Sequence, residues 1–170
     1  MNYDLNKIKA FVFDVDGVLS RQTVSHAPNG HPLRTTNVRD GYAMHHAVRS
    51  GYDVAVISGG FSEEVKLRME KIGVKHVFMS AVDKTEQLKE YMEITGCKAE
   101  EIMYVGDDMI DYLVMKQVGV AVAPADACAE IKEIAHYVSP VIGGEGVARD
   151  VIERVMKVQG KWINEHSYYW

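Results

Sequence analysis

The chain has 170 residues, of which 47% are hydrophobic and 25% are charged, and these ordinary values predict a single globular domain, residues 1–170. Its formal net charge of −5 argues against nucleic acid or an anionic membrane as a main partner. No apolar run approaches the roughly 20 residues of a spanning helix, and no secretory signal pattern is visible, so we expect a cytoplasmic protein.

The first predicted element is a buried strand that ends in two acids. An unbroken apolar run, Phe11–Phe13, is followed by Asp14, Asp16 and Gly17. Such a run is typical of a strand buried on both faces, and side-chain alternation places Asp14 and Asp16 on the same side at its carboxyl end. Two convergent carboxylates there indicate a Mg²⁺ site or an acid–nucleophile pair. The alternative is a strand that ends in an Asx-turn.

Residues 20–37 interrupt the alternation of strands and helices. They contain Asn29-Gly30, flanked by Pro28 and Pro32, and show no helical periodicity. Because Asn-Gly is a strong signal for a tight turn between two strands, we predict a projecting β-hairpin. The alternative is a disordered surface loop.

Capping residues and glycine stops predict five helices. Asp40 is predicted to cap the first helix, on which His45 and His46 are interpreted as a surface pair. Asp83 opens a helix that carries Lys84 near its start. The predicted helices cover residues 40–49, 63–71, 83–96, about 108–117, and about 147–158.

Two further buried strands end in polar residues. Val54–Ile57 is followed by Ser58, and Ile102–Val105 is followed by Gly106, two acids and, three residues later, Asp111. Strands that alternate with helical segments in this way predict an α/β fold with a doubly wound, mostly parallel sheet.

In this order and spacing, these segments resemble the four signature segments of the haloacid dehalogenase superfamily of phosphatases. Two further segments, Asn37–Gly41 and Gly143–Gly146, resemble the small members that act on phosphorylated 2-keto-3-deoxy sugar acids. The resemblance implies a Rossmann-like core, Mg²⁺ as cofactor and phosphate-ester hydrolysis. The signature segments are Asp14-Val15-Asp16, Ser58, Lys84 and Gly106–Asp111.

The resemblance also implies a role for each signature residue. Asp14 would be the nucleophile that forms an aspartyl-phosphate, and Asp16 would be the general acid and then the general base. Mg²⁺ would be held by the side chains of Asp14 and Asp107 and by the backbone carbonyl of Asp16. Asp108 would act through a metal-bound water.

The remaining signature residues would support the phosphate and the nucleophile. Ser58 and the amide of Gly59 would donate hydrogen bonds to phosphoryl oxygens. Lys84 would neutralise the nucleophile and the phosphate, and Asp111 would anchor either Lys84 or the metal-bound waters.

The implied substrate is 3-deoxy-D-manno-octulosonate 8-phosphate, in lipopolysaccharide precursor synthesis. The alternatives are a nine-carbon sugar acid 9-phosphate, or a non-catalytic binding protein that keeps the fold. Arg68 and Lys71 share one helical face and are the predicted contacts for the carboxylate of the sugar acid, with a surface salt bridge as the alternative. One segment departs from the pattern: these enzymes commonly carry Arg or Glu after Thr-Gly, whereas this chain reads Ser58-Gly59-Gly60.

The spacing between signatures leaves no room for a cap domain over the site. About 40 residues separate Asp16 from Ser58 and about 25 separate Ser58 from Lys84, fewer than the roughly 50 of a small domain. A capless enzyme must use a small substrate in an open site or have its site covered by another subunit. The resemblance implies the second, a homotetramer built around the hairpins. We predict that the aromatic tail, residues 162–170, reaches a neighbouring subunit. The alternative is a disordered tail or one that packs on its own subunit.

Overall fold

Strands and helices alternate along the chain, and the computed structural model describes residues 3–170. The strands are β1 (Ala10–Phe13), β2 (Ser25–His26), β3 (Pro32–Leu33), β4 (Asp53–Ile57), β5 (His76–Phe78), β6 (Ile102–Val105), β7 (Val120–Ala123) and β8 (Tyr137–Val138). The α-helices are α1 (Val38–Arg49), α2 (Glu63–Lys71), α3 (Lys84–Thr95), α4 (Tyr112–Met115), α5 (Ala129–Ile134) and α6 (Val147–Val158). Single turns of 3₁₀-helix cover Leu5–Lys7, Ala99–Glu101 and Met109–Asp111.

Six parallel strands form one sheet in the order β5-β4-β1-β6-β7-β8. After β1 the chain builds one half of this sheet and then crosses to build the other half, so the strand order reverses beside β1. Ligands of such sheets bind outside the carboxyl ends of the strands at this reversal. The predicted doubly wound sheet is confirmed, and its topology points to the end of β1 as the place for a site.

Helices cover both faces of the sheet. Phe11 and Phe13 of β1 pack in one core cluster with residues of α1, α2 and α6. Ala10 and Val12 pack in a second cluster with residues of α3, α4 and α5. Because each side chain of β1 is buried on one face or the other, the strand reads as an unbroken apolar run rather than an alternating one.

The predicted hairpin is present, although its strands have only two residues each. Ser25 pairs with Leu33 in antiparallel register, and His26 pairs with Pro32. Gly30 closes the turn with a φ of +82°, which favours glycine. Only this hairpin, α1 and β4 stand between the first and second signature segments, so the prediction of a capless core is confirmed.

Two of the five predicted helices differ from the prediction. The side chain of Asn37, not Asp40, caps α1 by accepting the amides of Arg39 and Asp40 at 2.8 and 3.2 Å. The region 108–117 is not one helix, since a 3₁₀ turn precedes the four-residue α4. This tight turn brings the carboxylate of Asp111 back to the amide of Asp107, at 3.1 Å.

Asp40 caps a different helix from the one predicted. Helix α6 follows Gly146, which has no side chain to accept the first amides of the helix. Asp40 Oδ1 accepts the amide of Arg149 in that first turn at 2.7 Å and so joins α1 to α6. Burial raises the pKa of Asp40 to about 6, and the bond from Arg149 opposes this shift.

We expect the Asp40→Asn variant to be more stable than the wild type at pH 8 by about 1–3 kcal/mol. The raised pKa of Asp40 stabilises the folded state only while the carboxyl is protonated, so the wild type loses this stability as the pH rises from about 4 to about 6. Asparagine keeps the acceptor and removes the charge. Urea unfolding at several pH values checks this: the advantage should shrink below pH 6, and an advantage that is independent of pH would contradict it. Asp40→Ala, which loses the acceptor, should be less stable throughout.

The tail packs against α1 and α2 of the same chain. The hydroxyl of Tyr42 donates to the carbonyl of Ser167, and the ring of Trp170 lies against His45 with ring centroids 5.3 Å apart. Trp170 also lies 5.6 Å from the guanidinium carbon of Arg68. These contacts match the alternative in which the tail packs on its own subunit.

The interpretation of His45 and His46 as a surface pair was wrong. His46 is 1% exposed, and its Nε2 lies 2.9 Å from the carbonyl oxygen of Trp162 at the start of the tail. His45 Nδ1 lies 2.9 Å from the carbonyl oxygen of Ile72. The tail and the residue after α2 cover the helix face that was expected to be exposed.

Candidate active site

A cavity of about 430 Å³, lined mainly by polar residues and glycines, opens at the carboxyl ends of β1, β4 and β6. The parallel strands end at the same edge of the sheet, so the residues that follow them converge. The predicted site residues that line the cavity are Asp14, Asp16, Ser58, Gly59, Asp107 and Asp108.

Asp14 and Lys84 form a buried ion pair at the base of the cavity. Lys84 is the first residue of α3, whose N-terminus is capped by Asp83 through the amide of Thr85 at 2.9 Å. Its Nζ lies 2.9 Å from Asp14 Oδ2 and 2.7 Å from Asp111 Oδ1, and its side chain is 2% exposed. Lys84 is therefore bound between two carboxylates and is not a solvated helix lysine.

The carboxyl groups of Asp14, Asp107 and Asp111 outnumber Lys84, the cation that lies among them. Burial, followed by repulsion from Asp111, raises the pKa of Asp14, while Lys84 opposes the shift. Burial and repulsion from Asp111 and Asp108 raise the pKa of Asp107 to about 7. Burial lowers the pKa of Lys84, but the two carboxylates outweigh burial and leave it raised. The site thus favours an additional positive charge.

Asp111 is held in place by hydrogen bonds on both carboxylate oxygens. Oδ1 accepts from Lys84 Nζ and from Tyr104 Oη, each at 2.7 Å, and Oδ2 accepts the amide of Asp107 at 3.1 Å. A side chain at Gly106 would begin 2.5 Å from Asp111 Cβ, so glycine is needed for this close approach. Asp111 lies below the cavity, where it orients Lys84 and the Asp107 backbone.

Asp107 packs against the turn that follows β1. A Cβ on Gly17 would lie 1.9 Å from Asp107 Oδ2, and Gly17 has a φ of +80°, so only glycine fits at this position. Gln22, which sequence reasoning missed, donates a long hydrogen bond of 3.4 Å to the same oxygen. Carboxylate oxygens of Asp14, Asp107 and Asp111 lie within 4.8 Å of one another.

Ser58 and Gly59 form the opposite wall of the cavity. Ser58 follows β4, and its buried Oγ accepts the amide of Gly60 at 3.2 Å. Since this bond uses an acceptor site of the hydroxyl, the O–H remains to donate to a bound group.

Asp16 reaches the cavity through the turn and not through strand alternation, because β1 ends at Phe13. Arg34, which follows β3 of the hairpin, binds the Asp16 carboxylate with two hydrogen bonds of 2.8 and 2.9 Å. Sequence reasoning missed Arg34, since the segment that contains it has no periodicity that could orient its side chain.

Arg68 and Lys71 do not line this cavity. Arg68 lies in a separate cleft beside Asp40 and Gly41, with its guanidinium near Trp170. Lys71 is exposed at the end of α2. Their role in binding a sugar acid stays a prediction, and the structure places neither beside Asp14.

Comparison with known proteins places these features in a family. The sequence pattern of the haloacid dehalogenase-like hydrolases matches residues 57–151. The 3-deoxy-D-manno-octulosonate 8-phosphate phosphatases of Yersinia pestis and Escherichia coli K12 are 36% and 37% identical to the chain over 154 residues, which is 91% of this chain and 82% of each relative.

A solved structure shows the same fold. The crystal structure of 3-deoxy-D-manno-octulosonate 8-phosphate phosphatase from Moraxella catarrhalis, in complex with magnesium ion, phosphate ion and KDO, superposes with a TM-score of 0.89 at 27% identity. The similarity covers 93% of this chain and 91% of that one. Among residues 3–170 of the present chain, no helix has the length and apolarity to cross a membrane.

Proposed function

The chain belongs to the haloacid dehalogenase-like hydrolases, as its signature segments predicted, and we propose that it hydrolyses 3-deoxy-D-manno-octulosonate 8-phosphate to the free sugar acid and phosphate. The observation that carries the proposal is the convergence of Asp14, Asp16, Ser58 and Asp107 in one cavity with Lys84 beneath it. The 36% identity to the Yersinia pestis phosphatase over 91% of the chain supports this substrate.

In the first step, a carboxylate oxygen of Asp14 attacks phosphorus and forms an acyl phosphate. The bond between phosphorus and the sugar oxygen breaks, and its electron pair stays on that oxygen. Asp16 gives its proton to the same oxygen, so the sugar acid leaves as an alcohol.

In the second step, a water molecule attacks the phosphorus of the acyl phosphate. Asp16, now a carboxylate, accepts a proton from this water, and the bond from phosphorus to Asp14 breaks. Inorganic phosphate leaves, while Asp14 returns as a carboxylate and Asp16 regains its proton. Ser58 and the Gly59 amide donate hydrogen bonds to the phosphoryl oxygens in both steps.

The residues of the cavity fit a Mg²⁺ ion. Mg²⁺ prefers oxygen ligands, and the carboxyl groups of Asp14 and Asp107 provide them in a place where Lys84 supplies the nearest cation. We propose these two side chains and the Asp16 carbonyl as ligands, with Asp108 acting through a bound water. When bound, the ion offsets the repulsion between the nucleophile and the phosphate. Lys84 holds Asp14 in the orientation for attack.

We further propose a cytoplasmic homotetramer assembled around the hairpins. The absence of a cap domain leaves the cavity open. Exposed apolar side chains include Ile110, which lines the cavity, and Leu33 and Phe61, which directly precede Arg34 and follow Gly60 in the chain. Exposed apolar groups around a site are typical of surfaces that a partner covers.

A phosphate-release panel tests the substrate. We expect the highest kcat/KM for the eight-carbon 8-phosphate, lower values for nine-carbon 2-keto-3-deoxy acid 9-phosphates, and the lowest for a small aryl phosphate. A preference for a nine-carbon acid would favour the alternative substrate. It would also show that this substrate does not need the Arg or Glu that these enzymes commonly carry at the position of Gly60. Release from none of them, in enzyme loaded with Mg²⁺, would support the non-catalytic binding protein.

A further inference from the structure

The Asp16 carboxylate is held by an arginine from the hairpin. Arg34 Nε donates to Asp16 Oδ1 at 2.8 Å and Nη2 donates to Oδ2 at 2.9 Å, the side-on geometry in which guanidinium and carboxylate pair with two parallel bonds. Arg34 Nη1 also donates to the carbonyl of Phe61 at 2.9 Å. The Arg34 side chain is 8% exposed, whereas the Asp16 side chain is 39% exposed. The arginine is thus the fixed partner in this pair.

The backbone next to Arg34 is hydrogen-bonded to the loop that carries Asp16. The amide of Thr35, the next residue, donates to Ser20 Oγ at 3.0 Å. Ser20 in turn forms a β-bridge with Asp16. The hairpin and the loop that carries Asp16 are therefore also joined beside the Arg34–Asp16 pair.

Gly60 provides the space that the Arg34 guanidinium occupies. A Cβ built on Gly60 would lie 2.4 Å from Arg34 Nη2 and 3.4 Å from Asp16 Oδ2. Gly60 is not among the glycines of positive φ, so its backbone conformation would accept another residue. What requires glycine here is the position of Arg34, and not the turn.

We propose that Arg34 is a positioning residue for Asp16, and that Gly60 is the residue that makes room for it. This inference rests on the proposed phosphatase activity, in which Asp16 must meet the leaving oxygen. An Asp side chain that is partly exposed and has no partner samples several rotamers. The carboxyl group keeps acceptor capacity when it is protonated, so both bonds from the buried arginine can persist and restrict it to one plane, facing the cavity. Loss of such alignment costs up to about 10²-fold in rate.

Leaving-group dependence distinguishes positioning from other roles. A nitrophenolate departs with little help from an acid, whereas the alkoxide of a sugar needs a proton. If Arg34 aligns Asp16, its loss should affect esters of poor leaving groups most. A structural role would lower the rates for all esters equally, and direct contact with the sugar acid would raise KM for that substrate alone.

The test is the rate of alcohol release in the first turnover, together with KM, of the Mg²⁺-loaded enzyme for a series of phosphate monoesters, from 4-nitrophenyl through phenyl to a sugar acid phosphate. The first turnover isolates the leaving-group step, because Asp16 acts as a base on the acyl phosphate of every ester alike. We expect Arg34→Ala to lower the first-turnover rate about 10–100-fold for the poorest leaving group and less than about 3-fold for 4-nitrophenyl phosphate. Arg34→Lys, which keeps the charge but loses the planar guanidinium, should recover part of this rate for the poorest leaving group.

Gly60 supplies the matched variant. Gly60→Ala should reproduce the pattern of Arg34→Ala, because the added methyl displaces the guanidinium. The double variant should be no worse than either single one, since the second change removes nothing further. This comparison remains informative if Arg34→Ala folds poorly, because Gly60→Ala leaves the arginine in the chain.

Three results would overturn the inference and leave the proposed function intact. They are equal losses of the first-turnover rate across the whole ester series, a rise in KM for the sugar acid phosphate alone, or losses that add in the double variant. A wild-type enzyme that is active on aryl phosphates but prefers another sugar phosphate would change only the proposed substrate. The Arg34 and Gly60 variants would still decide whether Arg34 positions Asp16. A wild-type enzyme that hydrolyses none of the esters would overturn both proposals.

Discussion

The Asp14→Asn variant is expected to release no measurable phosphate, a loss of at least about 10⁴-fold in kcat. Asn has no carboxylate oxygen to attack phosphorus, so the acyl phosphate cannot form. The substitution preserves the size of a buried side chain that directly follows β1, and it removes one negative charge from an acidic cluster. We therefore expect the fold to survive. Phosphate release under single-turnover conditions, together with circular dichroism, checks both parts.

Asp53→Asn is the matched control for this change. Asp53 is the first residue of β4, at the amino ends of the parallel strands, and it does not line the cavity. It should keep the activity of the wild type. Turnover by Asp14→Asn close to the wild-type rate would show that the covalent step proposed here is wrong.

Removal of divalent metal is expected to stop turnover, and added Mg²⁺ should restore it. The nucleophile, the phosphate and Asp107 bring several negative charges together, and Lys84 alone cannot offset them. Ca²⁺ should substitute poorly, because its larger and looser ligand shell alters the alignment of Asp14 with the phosphate. Rates in excess chelator, then with Mg²⁺ or Ca²⁺ added back, provide the measurement. Full activity in excess chelator would contradict the ligand role of Asp14 and Asp107.

The same prediction has a readout that does not depend on turnover. Because burial and neighbouring acids raise the pKa of Asp107 to about 7, and raise that of Asp14, protons compete with the metal for these groups. Mg²⁺ should therefore raise Tm more at pH 8 than at pH 6. Asp107→Asn should lose most of this increase. An increase of the same size at both pH values would argue against these carboxyl groups as ligands.

Much of the fold follows from local sequence patterns. The apolar runs of β1, β4, β6 and β7 are buried on both faces of the sheet, so each strand is visible without any knowledge of its neighbours. Helix α6 matches its prediction, 147–158, because its apolar residues recur at helical spacing and one face is buried. The 3₁₀ turn before α4 was not predicted, since the Asp111 carboxylate in this turn accepts hydrogen bonds from residues outside it.

The meeting of the site residues at one edge could also be anticipated. Asp14, Ser58 and Asp107 each follow a parallel strand, and parallel strands present their carboxyl ends at one edge of the sheet. Their position in the chain therefore determines their position in space.

Arg68 was expected at the site from its place on α2. The direction of a helical side chain depends on how the helix packs, however, and here the Arg68 side chain faces Trp170.

The sequence by itself determined the parallel sheet, the acidic residues that follow its strands, and the family to which the chain belongs. Only the tertiary structure decided that Arg34 holds Asp16, that Asp40 caps α6, and that His46 is buried beneath the tail. Each of these contacts joins residues that are far apart in sequence or that lie in segments without periodicity. Such contacts depend on how loops pack against the folded core, and no local sequence pattern predicts that packing.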